Sequence, residues 1–195
     1  RITYPNATYD EFTYHRLDMA TYRDRLGRVT TLEYDSLRRL SKWTDPLNRS
    51  TYLQWCACGS PESLTDAMGR TTSWINDLQG RTVAKVYGDG SRITYDYESS
   101  ISRLKQVTDE RGQSTQFSYN TDNTLRSRTH PNAQISTPGV LLEYDPNYLR
   151  VATMIDGIGT NTYAYNPPGQ LGAMRLASFD GPWANDTVTY LYDAM

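Results

Sequence analysis

The sequence has no long hydrophobic run, few phenylalanines and very few histidines or cysteines. No apolar stretch among its 195 residues approaches the roughly 20 residues that a membrane-spanning helix needs. The hydrophobic share is 37% and the mean hydropathy is -0.69, and both are low for a compact globular domain. The sequence therefore predicts neither a membrane span nor a large aliphatic core.

The charged and titratable residues exclude further classes. The net charge is -2, and Lys and Arg do not cluster, so no nucleic acid partner is expected. The two histidines, His15 and His130, stand in unrelated contexts, and no Ser–His–Asp or Cys–His constellation is persuasive around them. No glycine-rich phosphate loop and no EF-hand calcium pattern occurs. We expect a protein that is not an enzyme and has no cofactor and no metal site.

The two cysteines, Cys56 and Cys58, are separated by a single residue. In a strand both would point to one face, and a bridge across one residue would be strained. Zinc usually requires four ligands, which this pair cannot supply. The spacing favours a reduced structural pair over a disulfide, and a metal site is the least favoured alternative.

Tyrosine, threonine, aspartate and glycine are plentiful in place of aliphatic residues. The chain has 16 tyrosines but only 3 phenylalanines, and aromatic residues make up 12% of it. Disordered chains have few aromatics and high net charge, so disorder is not indicated. The composition instead predicts strands and turns around a thin, half-hydrated core.

One pattern recurs along the chain: Asp, two variable residues, Gly and Arg, followed by a Thr-rich run. The acidic residues at 24, 35, 45, 66 and 77 are separated by 11, 10, 21 and 11 residues. A unit of this length holds one strand and one turn, so two units make one hairpin. The residues assigned to the turns are Asp24, Gly27, Arg28, Asp66, Gly69, Arg70, Asp77, Gly80, Arg81, Asp109 and Gly112.

The residue types in this pattern suit a short hairpin loop. The Asp side chain can accept a hydrogen bond from the backbone N–H two residues on, and Gly can adopt the left-handed conformation. Asn48 and Asn123 stand where Gly is expected, and Asn tolerates that conformation better than most residues. The following Arg begins the return strand, where its guanidinium can stack on an aromatic ring or pair with the turn Asp.

The segments between the turns alternate with period two, which places an aromatic row on one face of a sheet. We expect these rings to be core residues in cross-strand registry rather than a ligand platform, each pair contributing about 0.2–1 kcal/mol. The turn Asp and Arg side chains are the natural partners of the hydroxyl groups. The residues of this aromatic ladder are Tyr34, Tyr95, Tyr97, Phe117, Tyr119, Tyr163, Tyr165, Tyr190 and Tyr192.

The predicted fold is all-β and built from antiparallel hairpins. Residues 8–26 are the best helix candidate, but their apolar residues lack 3.6-residue spacing, so strands and a turn are favoured there. Residues 129–139 form a longer loop rich in turn residues. The alternative is a β-propeller, because two hairpins of 21 residues would match one four-stranded blade.

Several segments resemble the RHS or YD repeat. They are Tyr34-Asp35-Ser36-Leu37-Arg38-Arg39-Leu40, Tyr165-Asn166-Pro167-Pro168-Gly169-Gln170-Leu171 and the run from Gly112 to Asn120. The resemblance covers nearly the whole chain and recurs at matching spacing. Some copies are degenerate, since Gly is replaced at Arg38, Asn48 and Asn123.

The resemblance implies an extended, spiralling sheet that forms part of a hollow shell or a filament. Such shells occur in insecticidal toxin-complex subunits, bacterial polymorphic toxins and the animal teneurins. The implied function is a non-enzymatic, secreted or cell-surface scaffold that encloses a toxin or other cargo. Residues 1–195 would be one YD-repeat region, a portion of a longer chain, in contact with neighbouring repeats or identical copies. The alternative is a self-assembling filament or an adhesin that binds cell-surface carbohydrate.

Overall fold

The computed structural model describes residues 1–193, which form 18 β-strands and no helix. Accordingly, this part of the chain holds no helix that could cross a membrane. The chain divides into two compact units, Arg1–Thr94 and the residues from Tyr95 onward. The prediction of an all-β fold built from antiparallel hairpins is confirmed.

The first unit holds ten consecutive strands joined by short turns. They are β1 (Ile2–Thr3), β2 (Tyr9–His15), β3 (Asp18–Arg23), β4 (Val29–Tyr34), β5 (Leu40–Thr44), β6 (Ser50–Trp55), β7 (Pro61–Thr65), β8 (Thr71–Asn76), β9 (Thr82–Val86) and β10 (Arg92–Tyr97), the last of which begins in this unit. Residues 8–26, the best helix candidate, form β2, a turn and β3 as favoured.

The second unit repeats this arrangement with longer connections. Its strands are β11 (Leu104–Thr108), β12 (Ser114–Tyr119), β13 (Leu125–Thr129), β14 (Val140–Tyr144), β15 (Val151–Ile155), β16 (Thr160–Tyr165), β17 (Leu176–Asp180) and β18 (Val188–Thr189). The loop predicted over residues 129–139 connects β13 and β14. The strand predicted to run through Tyr192 is shorter than expected and ends at Thr189. Beyond it the ring of Tyr192 lies against Gly172, where a Cβ would collide with the ring.

Within each unit, every strand pairs antiparallel with its neighbours in the chain. The ladder in the first unit runs without a break from β2 to β10. A propeller blade would end after four strands, so the propeller alternative is wrong. Among residues 1–193, no strand of either unit packs face to face on another strand of the same unit. Each unit is therefore one layer of sheet.

A single layer buries very little. Among residues 1–193, Ala84 is the one buried hydrophobic residue and Asn161 the one buried polar residue. The chain exposes 13479 Å², whereas a compact protein of 22.3 kDa would expose about 9,000 Å². Stability must therefore come from the ladder and from contacts at its edges.

The two faces of the sheet differ in chemistry. In the first unit the ring face carries Phe12 opposite Tyr22 and Leu32 opposite Trp43. The hydroxyl face carries a continuous row of hydroxyl side chains from β2 to β6, namely Thr13, Thr21, Thr31, Thr44 and Ser50. Hydroxyl groups bond across the row, as between Thr13 and Thr21 at 2.6 Å. The same division recurs in the second unit, where Phe117 and Gln116 lie on opposite faces.

Candidate functional site: the repeated turn clamps

Five turns of the first unit share one hydrogen-bond pattern, which we call the turn clamp. In the turn from Asp24 to Arg28, two backbone hydrogen bonds close the loop. The N–H of Asp24 donates to the carbonyl of Arg28 at 3.0 Å, and the N–H of Gly27 donates to the carbonyl of Asp24 at 2.9 Å. The Asp24 carboxylate accepts the N–H of Leu26 at 2.9 Å and the Nε of Arg28 at 2.7 Å. The other four clamps are Asp35–Arg39, Asp45–Arg49, Asp66–Arg70 and Asp77–Arg81.

The fourth position of each turn adopts the left-handed conformation. Its φ is +79° at Gly27, +80° at Gly69, +79° at Gly80 and +76° at Gly112. Asn48 and Asn123 take the same conformation with φ of 61° and 71°. A longer side chain is tolerated at Arg38, where φ is 63°. The Arg38 guanidinium binds the carboxylate of Asp18, the first residue of β3, at 2.8 Å.

Gly69→Val should destabilise the protein by about 1–2 kcal/mol, because a β-branched residue is strained in the left-handed region. Nothing lies within 4 Å of a Cβ added at Gly69, so the effect isolates backbone strain. Gly69→Asn is the matched control and should cost much less, as Asn48 occupies the same position. Urea unfolding checks both, and equal losses for Val and Asn would contradict a conformational origin.

The turns alternate between the two sides of the sheet at which the strands end. We call these two sides the edges, and they differ in their residues. In the first unit the turns at 35–39, 56–60 and 77–81 lie on one edge, each preceded by Tyr34, Trp55 or Asn76. We call this the tyrosine edge. The turns at 24–28, 45–49 and 66–70 lie on the opposite, threonine edge. There hydroxyl pairs such as Thr65 and Thr71, 2.8 Å apart, stand in place of rings.

On the tyrosine edge, an arginine connects its own turn to the next turn of that edge. Arg39 holds Asp35 through Nε at 2.7 Å, donates from Nη1 to the Cys56 carbonyl at 3.1 Å and lies 5.7 Å from the Trp55 ring centroid. One side chain thus links a carboxylate, a backbone carbonyl and a ring. Arg39 therefore connects the turns of two neighbouring hairpins, the turn at 35–39 and the turn at 56–60.

The second unit repeats this three-way contact. Arg103 pairs with Glu98 at 2.7 Å, donates to the Asn120 carbonyl at 3.0 Å and lies 4.8 Å from the Tyr119 ring. Arg150 pairs with Asp145 at 2.8 Å and lies 4.1 Å from the Tyr165 ring. Only 18% of each side chain of the Arg150–Asp145 pair is exposed, whereas Arg28 on the threonine edge is 62% exposed.

The polar atoms of the tyrosine-edge rings bind backbone carbonyls. Four tyrosine hydroxyls donate to the carbonyl of the first residue of an earlier return strand, as in Tyr119 to Leu104 at 2.8 Å and Tyr165 to Val151 at 2.7 Å. The Trp55 indole donates to Leu40 in the same way at 2.7 Å. The expectation that turn Asp and Arg side chains satisfy these hydroxyls is therefore wrong at these positions. The arginine lies over the ring face instead, and the hydroxyl donates to a backbone carbonyl.

The aromatic ladder is built from ring–guanidinium contacts more than from ring pairs. Ring pairs do occur at Phe12–Tyr22 and Tyr163–Phe179, with centroids 5.3 Å apart in both cases. The other rings of the ladder are half-buried, except Tyr190, which is 42% exposed. The half-buried set comprises Tyr34, Tyr95, Tyr97, Phe117, Tyr119, Tyr163, Tyr165 and Tyr192.

A β-bulge accompanies the tyrosine edge at regular intervals. The register shifts between Glu33 and Tyr34, where Ser41 is the extra residue on the return strand. It shifts again at Trp55, Asn76, Tyr119, Tyr144 and Tyr165. No shift is present in the β3–β4, β5–β6 and β7–β8 pairings that end at the threonine edge. Bulges bend a strand and increase its twist, so the bulged hairpins are each bent at the tyrosine edge.

The clamp carboxylates have lowered pKa values. For Asp24, Asp45, Asp66 and Asp77, the hydrogen bond from the clamp arginine is the main cause, and it holds the pKa below the ordinary value of 3.8. At Asp35 the backbone N–H of Arg39 contributes most. The lowered pKa means that the folded state favours the ionised carboxylate.

Acid should weaken the protein in a defined window. Because the folded pKa is depressed, the stabilisation is complete above the ordinary value of 3.8 and is lost as the pH falls below it through the folded pKa. The urea concentration at the unfolding midpoint should therefore not change with pH near neutrality and should fall in this acid range. In the Asp66→Asn variant it should fall less steeply. A fall centred near about pH 6.5 would point to histidine and contradict the clamp assignment.

The cysteines occupy a turn on the tyrosine edge and are joined by a disulfide. The preference for a reduced pair is wrong, because Cys56 and Cys58 lie in a turn and not in a strand. Cys56 replaces the clamp Asp: its N–H bonds to Ser60 O at 3.0 Å, and its Sγ accepts the N–H of Cys58 at 3.1 Å. Ser60 replaces the clamp Arg. The disulfide therefore stands where the other turns have an ion pair.

A groove of about 540 Å³ in the second unit tests the carbohydrate alternative. Tyr97, Phe117 and Tyr119 line it beside Glu98. A sugar platform needs exposed ring faces, but Arg103 lies over the Tyr119 ring and its hydroxyl is bonded to the backbone. This groove has the character of a clamp and not of a sugar site.

The sequence pattern predicts the positions of the turns but does not predict every acidic–arginine pair that closes them. The clamps Glu98–Arg103 and Asp145–Arg150 span five positions, so they do not match Asp-x-x-Gly-Arg. Their signal is the aromatic-acidic dipeptide, Tyr97-Glu98 and Tyr144-Asp145, followed by the next arginine. Asp109 lies in a turn with the predicted geometry, but Gln113 takes the place of the arginine.

Comparison with known proteins gives matches by structure only. No protein-family model matches the sequence, and no curated protein matches it. A solved TcdB2–TccC3 structure without its hypervariable C-terminal region has a TM-score of 0.69 at 14% identity over 91% of this chain. The TcdB2–TccC3–Cdc42 structure gives 0.68 at 14% over 87%, and the Photorhabdus luminescens Tc holotoxin pore gives 0.64 at 16% over 78%.

These matches concern the fold. They are toxin-complex chains, one of the groups in which the RHS/YD repeat is expected, so the predicted likeness to the RHS/YD-repeat fold is confirmed. The chain spans 11%, 10% and 9% of the length of the three solved chains. The fold of this chain, a series of antiparallel β-hairpins, is therefore similar to a part of these toxin-complex chains.

Proposed function

We propose that this chain is a non-enzymatic wall segment of a secreted or cell-surface RHS/YD-repeat protein that encloses a toxin or other cargo. The tyrosine-edge clamp carries the proposal, because Arg39, Arg103 and Arg150 each join their own hairpin to the next one on that edge. A scaffold needs such hairpin-to-hairpin fastening. The likeness to toxin-complex chains supports the same function.

The mechanism of such a wall is steric and mechanical. Backbone ladders give stiffness along each hairpin, and the clamps resist separation of neighbouring hairpins. A one-layer sheet with two chemically different faces can present one face to the enclosed space and the other to the outside. Bulges confined to one edge favour the curvature that closing a wall requires.

Face-selective labelling of the full-length protein tests this proposal. Gln116 and Arg128 are both exposed, lie on adjacent strands and point to opposite faces. Cysteines introduced singly at these positions should both react with a small maleimide. In a closed shell, a maleimide attached to a polymer of several kilodaltons should modify only one of them until the protein is denatured.

Equal modification of both positions by the large reagent would contradict a closed wall. That result would favour an open assembly such as the filament alternative. Cys56 and Cys58 are joined to each other, so neither reacts with a maleimide as long as reductant is left out.

A further inference from the structure

The Cys56–Cys58 turn differs from its neighbours in the bond that closes it. The turns before and after it on the tyrosine edge of the first unit are closed by Asp35–Arg39 and Asp77–Arg81. Ion pairs of this kind do not respond to reductants. The turn at 56–60 keeps its two backbone hydrogen bonds but has a disulfide in place of the ion pair.

The surroundings of the two sulfur atoms are unequal. Cys58 is exposed, as are Ala57 and Gly59, whereas Cys56 is half-buried. The Cys56 sulfur accepts the N–H of Cys58 at 3.1 Å, and the Arg39 guanidinium binds the Cys56 carbonyl at 3.1 Å. A hydrogen-bond donor and a nearby cation both favour a thiolate. Cys58 is therefore the accessible sulfur and Cys56 the better leaving group.

We propose that the Cys56–Cys58 disulfide is a thiol–disulfide exchange site for dithiol reductants. A thiolate of the reductant attacks Cys58 Sγ, the bond between the two cysteines breaks, and its electron pair leaves on Cys56 Sγ. The second thiolate of the reductant then attacks the mixed disulfide and releases Cys58. The protein gains two electrons and two protons, and the reductant departs as its own disulfide.

The short loop that the disulfide closes and the exposure of Cys58 both support this assignment. A cross-link between residues two apart restricts the unfolded chain little, so it adds little to stability. Exposed disulfides are the ones that exchange readily. Reduction removes the cross-link of the β6–β7 hairpin while its ladder and the backbone bonds of the turn remain. The expected consequence is a local loosening of this hairpin tip, with the fold intact. The exchange does not depend on the proposed function.

The test is native-state reduction of the full chain with dithiothreitol, followed by alkylation and mass spectrometry. Two alkyl groups should be added under native conditions, and amide exchange at residues 56–60 should accelerate by about tenfold or more. Exchange at the 77–81 turn should stay unchanged. The matched variant combines Cys56→Asp, Cys58→Ala and Ser60→Arg, which rebuilds the ion-pair clamp and should make amide exchange insensitive to dithiothreitol.

Resistance of the disulfide to millimolar dithiothreitol until the protein is denatured would overturn the proposal. So would complete reduction with no change in amide exchange at residues 56–60. The triple variant has no cysteines but has the ion-pair clamp, so it should fold. A lack of response to dithiothreitol in this variant then reflects the missing disulfide and not a failure to fold.

Discussion

Replacing Arg150 with Gln is expected to lower the free energy of unfolding by about 2 kcal/mol, from lost ring contacts and a lost backbone hydrogen bond. The guanidinium lies 4.1 Å from the Tyr165 ring and 4.6 Å from the Tyr148 ring. It also donates to the Met174 carbonyl at 3.3 Å. Gln reaches none of the three groups in the same geometry. Urea unfolding of the protein measures the effect.

Arg28→Gln is the matched control on the threonine edge. Arg28 makes the same clamp with its own Asp24, but its side chain is 62% exposed. Exposed ion pairs contribute little, so this variant should change the urea midpoint much less. Similar losses for both variants would contradict the claim that arginine acts by joining hairpins on the tyrosine edge.

Removal of the Tyr165 ring should have the second large effect. Tyr165→Ala is expected to cost about 3 kcal/mol, because it removes a half-buried ring and its hydroxyl bond. Tyr165→Phe keeps the ring and loses only the bond to Val151 O, so it should cost about 1 kcal/mol. Burial raises the pKa of Tyr165, in keeping with a hydroxyl withdrawn from water. Unfolding curves of the two variants give the graded series.

A double-mutant cycle separates the ring's own burial from its contact with arginine. Arg150→Gln and Tyr165→Ala should be non-additive by about 1 kcal/mol, because they share one contact. Tyr52→Ala is the control, since Tyr52 is 49% exposed and lies on the hydroxyl face. Tyr52→Ala should be additive with Arg150→Gln, and strict additivity of Tyr165→Ala with Arg150→Gln would show that the clamp contact contributes nothing of its own.

The sequence predicts the turns well because turn chemistry is local. Asp24, Gly27 and Arg28 contact one another within five residues, so their spacing carries the geometry directly. Period-two alternation likewise identifies β12, where Phe117 and Tyr119 share a face. The all-β fold follows from these two signals alone.

The rest could not be predicted because it depends on contacts between hairpins. Arg39 reaches Cys56 O across 17 positions, and no local pattern encodes that distance. The extra residue at each bulge, such as Ser41, leaves no mark in composition. The disulfide is not predicted for a related reason, because the spacing of Cys56 and Cys58 does not show whether they lie in a strand or in a turn. In the turn, Cys56 stands in the position of the clamp Asp.

Electron cryomicroscopy of the full-length protein would show directly whether this segment is part of a wall. We expect residues 1–193 to form hairpins in the wall of a closed cavity, with Arg39, Arg103 and Arg150 each joining two neighbouring hairpins at one rim. A map in which this segment forms a separate compact domain, with the arginines free of the next hairpin, would contradict it.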